Sequence, residues 1–139
     1  MASLAARIEA LVRPLAVAGF KAAAEVVVPP NDLGAPDVAA TRLERRFDRW
    51  LDELPPEARR LMLLLYGAVE ALAPLAMPAL GRFSRQPLAS RTRLVERWRT
   101  SALMPLRFVA EAMKSPVVMM YLSEPDALRW LGAPAPEAR

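Results

Sequence analysis

Apolar residues recur at helical spacing along most of the chain, and prolines cut the pattern into pieces. Leu4, Ile8, Leu11, Val12 and Leu15 share one face of an Ala-rich stretch running from Ser3 to Val28. Pro14 is expected to bend or split that helix, because an interior proline loses a backbone hydrogen bond and clashes with the preceding turn. Gly19 is expected to weaken it further. The second piece, Phe20 to Val28, runs into Pro29-Pro30, which must end it. Val26-Val27-Val28 has strand character, but no second strand candidate exists, so it reads as a helix end. Asn31 to Pro36 is a loop by its turn residues. Asp37 has the position of an N-cap, and behind it Leu43, Phe47, Trp50, Leu51 and Leu54 form an amphipathic face. Pro55-Pro56 stops this helix, with Pro56 suited to the first position of the next.

The strongest apolar signal follows. Between Arg60 and Arg82 the 21 residues 61–81 carry one charge, Glu70, and a bilayer span needs ~20 residues. Against a span stand the central carboxylate, which costs ~2.5–3.5 kcal/mol on insertion scales, and Pro74 and Pro78. The favoured reading is a core helix from Glu57 to about Ala73 followed by a proline-broken loop. Glu70 would then need a buried or interfacial arginine.

Pro87 opens a further helix through Leu94, Val95 and Trp98. Pro105 separates it from one using Leu106, Val109 and Met113. Pro116 restarts the chain as Val117 to Leu122, apolar all round and therefore expected to be buried. Ser123-Glu124-Pro125-Asp126 has the form of a capping box opening a short helix through Leu128, Trp130 and Leu131, closed by Gly132. The pattern predicts an all-α, single-domain compact bundle of about five to seven proline-punctuated helices over residues 1–132, with 133–139 a disordered tail. No fixed-period repeat is present.

Composition narrows the chemistry. The chain has 139 residues, one domain by length, and no Cys or His. That excludes disulfides, thiolate nucleophiles, Cys/His zinc sites and Ser-His-Asp triads. The formal charge is +4, nearly all from arginine, since Lys21 and Lys114 are the only lysines. Acids alternate with arginines over Thr41–Glu53, as on a solvated helix face. The Arg91, Arg93, Arg97, Arg99 run is less balanced, yet also reads as solvated surface, and nucleic-acid binding has only net charge in its favour. The N-terminus lacks a cationic region followed by a clean apolar run, so a cytoplasmic location is expected. Peripheral contact with the inner membrane face is the alternative.

Glu44, Asp48 and Asp52 share a helix face, but with arginines beside each they read as surface and not as an acid–base pair. No phosphate-binding glycine loop occurs. Lys114 reads as a snorkelling surface lysine. Trp50, Trp98 and Trp130 lie on apolar faces, where packing is the default.

Several segments together resemble one family. They are Val26-Val-Val-Pro-Pro-Asn-Asp32, the Phe47–Leu54 helix with Pro-Pro-Glu-Ala-Arg-Arg behind it, and Phe83-Ser-Arg85. Arg97-Trp-Arg-Thr-Ser101 and Tyr121-Leu-Ser-Glu-Pro-Asp-Ala-Leu-Arg-Trp-Leu-Gly132 complete the set. In this order they resemble the small helical module that accompanies FAD-dependent GMC-type oxidoreductases. Its relatives include gluconate 2-dehydrogenase subunit 3-like proteins and the helical region of long-chain alcohol oxidases. The resemblance covers about Phe20 to Gly132. It implies a non-catalytic accessory subunit that binds and stabilises, matures or positions the oxidoreductase, with FAD in that partner. No catalytic, cofactor or metal residues are then expected in this chain. The runner-up is a membrane-surface protein anchored by 61–81. Trp98, Arg107, Phe108, Met113, Tyr121, Arg129 and Trp130 are the candidate partner-binding residues, because aromatics, Met and Arg are enriched at interfaces. The C-terminal half is therefore expected to hold more of the contact surface than the N-terminal half.

Overall fold

The computed structural model describes residues 3–132; the tail expected over 133–139 lies outside them. The described residues form α1 (Leu4–Val27), the single turn α2 (Val38–Thr41), α3 (Leu43–Glu53), α4 (Pro56–Ala76), α5 (Leu88–Arg99), α6 (Met104–Ala112), α7 (Lys114–Leu122) and α8 (Pro125–Trp130). Short 3-10 turns at Pro78–Leu80 and Phe83–Arg85 bridge α4 and α5, and no strand occurs among the described residues. The architecture is the expected all-α bundle.

The long helices α1 and α4 pack along each other and carry the core. Phe20 of α1 stacks on Phe47 of α3, with centroids 4.2 Å apart and planes 4° from parallel. The Tyr66 ring of α4 meets both edge-on at 5.2 and 5.1 Å, the favoured geometry for the aromatic quadrupoles. The Tyr66 hydroxyl donates to the Met113 carbonyl at 2.7 Å, which ties α4 to the α6–α7 corner. Gly19 of α1 lies against the Tyr66 backbone carbonyl so closely that a Cβ would collide with it. Far from weakening the fold, this glycine sets the closest approach of the two long helices.

Pro14 does not split α1. It sits on an exposed face, so the Ala10 carbonyl that loses its partner faces water, while both flanks of the helix are held by tertiary contacts. Likewise α4 runs through Pro74 to Ala76. The expected helix from Asp37 is broken instead at Arg42, whose left-handed φ of 50° separates α2 from α3, and Asp37 makes no side-chain cap bond.

Glu70 is buried as expected, but no arginine meets it. Its Oε1 accepts from the Ser84 amide and the Ser84 hydroxyl, each at 2.8 Å, pinning the second 3-10 turn to α4. The buried arginine is Arg91. Its Nε donates to the Gln86 carbonyl at 3.0 Å, its Nη1 to the Ala22 carbonyl at 2.7 Å, and its Nη2 to Glu25 at 3.2 Å.

Two further expectations are corrected. The helix α7 is not buried all round: Val117, Met120 and Tyr121 face inward while Val118, Met119 and Leu122 are exposed. Ser123 caps the wrong helix for a capping box, because its hydroxyl donates to the Met119 and Met120 carbonyls at 2.9 and 3.0 Å and closes α7. The residue before α8 is Glu124, which pairs with Arg46 at 2.6 Å.

Burial pushes the Tyr66 phenol far above its ordinary value near 10. A raised folded value means stabilisation that is complete below the unfolded value of about 10 and lost as the pH rises above it. Tyr121 is raised in the same direction, first by burial and then by Asp37. Alkaline unfolding followed by circular dichroism should therefore be shallower above pH ~10 in Tyr66→Phe than in the wild-type protein. Equal pH dependence in the two would contradict this.

Candidate functional site

Two of the carboxylates on α3, Asp48 and Asp52, are ion-paired, whereas Glu44 has a buried Oε2 with no hydrogen-bond partner among the described residues. Arg13 of α1 donates through Nε to Asp48 Oδ1 at 2.7 Å, through Nη1 to Asp52 Oδ1 at 2.9 Å, and through Nη2 to the Asp48 carbonyl. The hydrogen bond from Arg13 holds the Asp52 carboxyl below its usual range. Asp48 and Asp52 thus clamp α1 to α3. The arginine run is dispersed as well: Arg91 is buried, Arg99 pairs with Glu96 at 2.6 Å, and Arg93 and Arg97 are exposed. Among the described residues no group of three or more metal-ligating side chains comes together.

The candidate partner residues divide. Trp98, Met113 and Tyr121 are occupied inside the chain: Trp98 packs on Phe83, Met113 is fully buried, and the Tyr121 hydroxyl donates to the Pro36 carbonyl at 2.7 Å. Arg107, Phe108, Arg129 and Trp130 are exposed. Trp130 is nonetheless tethered, its Nε1 donating to the Leu33 carbonyl at 2.9 Å, and Arg129 pairs with Asp126 at 3.0 Å. These residues do not converge on one site.

What does converge is an apolar face that the candidate residues touch only at Phe108. Leu4, Ile8, Leu11 and Leu15 form an exposed stripe on α1 at spacings of four, three and four. Ile8 borders Leu64 of α4. From there Leu61, Leu64 and Ala68 form one wall of a groove of about 430 Å³, and Met104, Phe108 and Val109 of α6 form the other. Leu64 is 68% exposed, Phe108 65%, Met104 72% and Leu11 75%. The face is mostly N-terminal and central in sequence, so the expected bias towards the C-terminal half does not describe it. The missed signal is in α1: Leu4, Ile8, Leu11 and Leu15 form one apolar stripe, and Ala16, Phe20 and Ala23 form another, buried one. Only one of the two can face the core.

A second concavity, of about 420 Å³, lies between α3 and α7, where Arg46, Arg49, Trp50 and Glu53 face Met119 and Met120. Its charges balance, since Arg46 is neutralised by Glu124 and Arg49 stands one turn from Glu53 on the same helix.

No helix among the described residues is long and apolar enough to cross a membrane. In α4 the reason is visible, because the apolar stretch begins only after Arg59 and Arg60, ends with the helix at Ala76 and carries Glu70 within it. No family model, curated protein or solved structure matches the chain.

Proposed function

We propose that this chain is a non-catalytic accessory subunit that docks onto a FAD-dependent GMC-type oxidoreductase in the cytoplasm and stabilises, matures or positions it. The observation that carries the reading is the continuous apolar face on α1, α4 and α6. Leu4, Ile8, Leu11, Leu15, Leu61, Leu64, Met104 and Phe108 are all exposed there. The largest apolar patch of an ordinary monomer is ~300–600 Å², whereas a standard protein interface covers ~800 Å² per partner. Eight large apolar side chains in one band match the second figure better than the first. The identity of the partner rests on the resemblance of the segments between Phe20 and Gly132 to the helical module of that family. Flavin and catalytic groups would then be supplied by the partner.

A membrane-surface role is the second reading. It is favoured by the outward leucines of the 61–81 segment, Leu61, Leu64, Leu75 and Leu80.

The test is co-expression with the GMC-type oxidoreductases of the same genome. The chain should co-elute with one of them in a yellow, flavin-absorbing complex without detergent. Recovery of the chain only from detergent-extracted membranes, or free of every such flavoprotein, would overturn the proposal.

A further inference from the structure

The connector from the end of α4 into α5 carries no acid. From Ala71 to Val95 the chain has four arginines and neither Asp nor Glu. Its first part is an apolar tip. Leu75, in the last turn of α4, is 79% exposed, and Ala76, Pro78, Ala79 and Leu80 after it are exposed as well. The tip is held by its own backbone, since the Leu80 and Gly81 amides donate to the Met77 and Pro78 carbonyls at 3.1 and 3.4 Å.

The 3-10 turn that follows sets out the charge. Phe83 is fully buried and packs on Trp98, and the Ser84 amide and hydroxyl are held by the buried Glu70. Arg82 and Arg85 stand at the two ends of this inward pair, joined by the Arg85 amide donating to the Arg82 carbonyl at 2.9 Å. Arg85 is exposed and Arg82 partly so. Neither has an ion pair among the described residues. Glu70 thus fixes a turn that presents two uncompensated guanidinium groups within a few residues of Leu80.

The acids of the helices around the connector do not offset them. The turn packs on α1 and α4, and α5 continues it. On α1, Glu25 is engaged by Arg91 at 3.2 Å, while Glu9 pairs with Arg60 near the start of α4. On α4, Glu57 lies in the first turn, and Glu70 is buried. On α5, Glu96 pairs with Arg99. Lys21 of α1 and Arg93 of α5 add exposed positive charge.

We infer that this connector contacts an anionic lipid surface, with Leu75 and Leu80 entering the boundary of the acyl chains and Arg82 and Arg85 meeting headgroup phosphates. Interfacial binding is the sum of buried apolar area and attraction to anionic lipid, and the connector offers both side by side. A nucleic acid would need exposed aromatic faces for its bases, and the connector's aromatic residue, Phe83, is buried. The inference rests on the membrane-surface reading and adds to it the segment and the class of lipid. It leaves the α4–α6 groove free, because Leu75 lies seven residues past Ala68, ~10 Å along the helix axis. Two aliphatic tips and two arginines give reversible binding, no stronger than the ~10⁴ M⁻¹ of a single myristoyl chain.

The test is sedimentation of the full chain with sucrose-loaded vesicles of phosphatidylcholine alone and of 7:3 phosphatidylcholine:phosphatidylglycerol. The wild type should bind the mixed vesicles at least ~tenfold more tightly than the neutral ones, and less tightly as salt rises. Each arginine near such a surface contributes about fivefold, so Arg82→Gln/Arg85→Gln should lose at least ~tenfold. Leu75→Ser should lose several-fold. Both should keep the wild-type circular dichroism, because the altered side chains make no core contact. Arg7→Gln/Arg107→Gln removes the same net charge elsewhere and should bind mixed vesicles within about twofold of the wild type.

If the wild type binds mixed vesicles and the folded connector variants bind equally well, the inference falls and the membrane-surface reading stands. Failure of the wild type to bind either vesicle overturns both. Equal binding to neutral and mixed vesicles overturns the inference, since headgroup charge would then play no part. So do equal losses in the two double variants, which would make net charge alone responsible. Connector variants that keep vesicle binding but lose the oxidoreductase would assign this surface to a protein partner and overturn it too.

Discussion

Replacing Arg91 by alanine is expected to destabilise the protein by about 2–4 kcal/mol, because it leaves two interior backbone carbonyls without their donor. The side chain is 8% exposed and reaches three acceptors at once: the carbonyl of Gln86 before α5, and the carbonyl of Ala22 and the carboxylate of Glu25 in α1. Removing it breaks all three contacts and leaves a void where they met. Arg91→Lys should recover less than half of the loss, because an ammonium cannot present the planar fork that spans three acceptors. Stability on this scale is ~5–15 kcal/mol in total, so Arg91→Ala should unfold at a much lower urea concentration. A midpoint within experimental error of the wild type would show that the network contributes nothing net. A lysine variant as stable as the wild type would show that charge alone matters and the fork does not.

The second large effect comes from two mid-helix glycines given the same substitution. Gly19→Ala places a Cβ against the backbone carbonyl of Tyr66, which has no side-chain freedom with which to yield. The long helices must then move apart around the Phe20, Phe47 and Tyr66 rings. Overpacking of this kind costs ~1–3 kcal/mol, and contact with backbone puts Gly19→Ala at the upper end of that range. Gly67→Ala introduces a Cβ 3.4 Å from a methyl of Val12, an ordinary contact with the end of a side chain. Alanine is the better helix former by ~1 kcal/mol, so Gly67→Ala should be neutral or stabilising by up to that amount. Thermal unfolding of the two single variants checks the sign of each. Both gaining stability would mean that the α1–α4 contact is looser than the structure places it, and both losing it that Gly67 is packed more tightly than the structure shows.

The elements that sequence pattern located well are those with one apolar face. Leu43, Phe47 and Leu51 repeat at four-residue intervals with charges between them, and α3 buries all three. Pro56 and Pro105 lie in the first turns of their helices and Pro87 at the cap of α5, where a proline has no intrahelical amide bond to lose. Pattern failed where the deciding partner lies far along the chain. Whether Pro14 breaks α1 depends on whether the Ala10 carbonyl faces water, which only packing determines. Glu70 pointed to a buried arginine, whereas its Oε1 takes the amide and hydroxyl of Ser84 and its Oε2 has no hydrogen-bond partner among the described residues. Arg91 looked like one member of a solvated run, because nothing local reveals that α1 offers it a carbonyl 69 residues away.

The candidate surface was legible only in part, for a related reason. Helical periodicity shows that α1 has apolar residues at Leu4, Ile8, Leu11 and Leu15, but not that Phe20 and the alanines would win the core. Aromatic and methionine content drew attention to residues 98–130. There Trp98, Met113 and Tyr121 turned out to be internal, and Phe108 alone of the candidates stands in the exposed groove.

Backbone hydrogen–deuterium exchange on the chain, free and bound to its oxidoreductase, tests the central claim most directly. Docking through the apolar face predicts slowed exchange on binding in residues 4–15, 61–68 and 104–109, with the α3–α7 concavity unchanged. Protection confined to α3, α7 and α8, with those three segments exchanging as in the free chain, would contradict it.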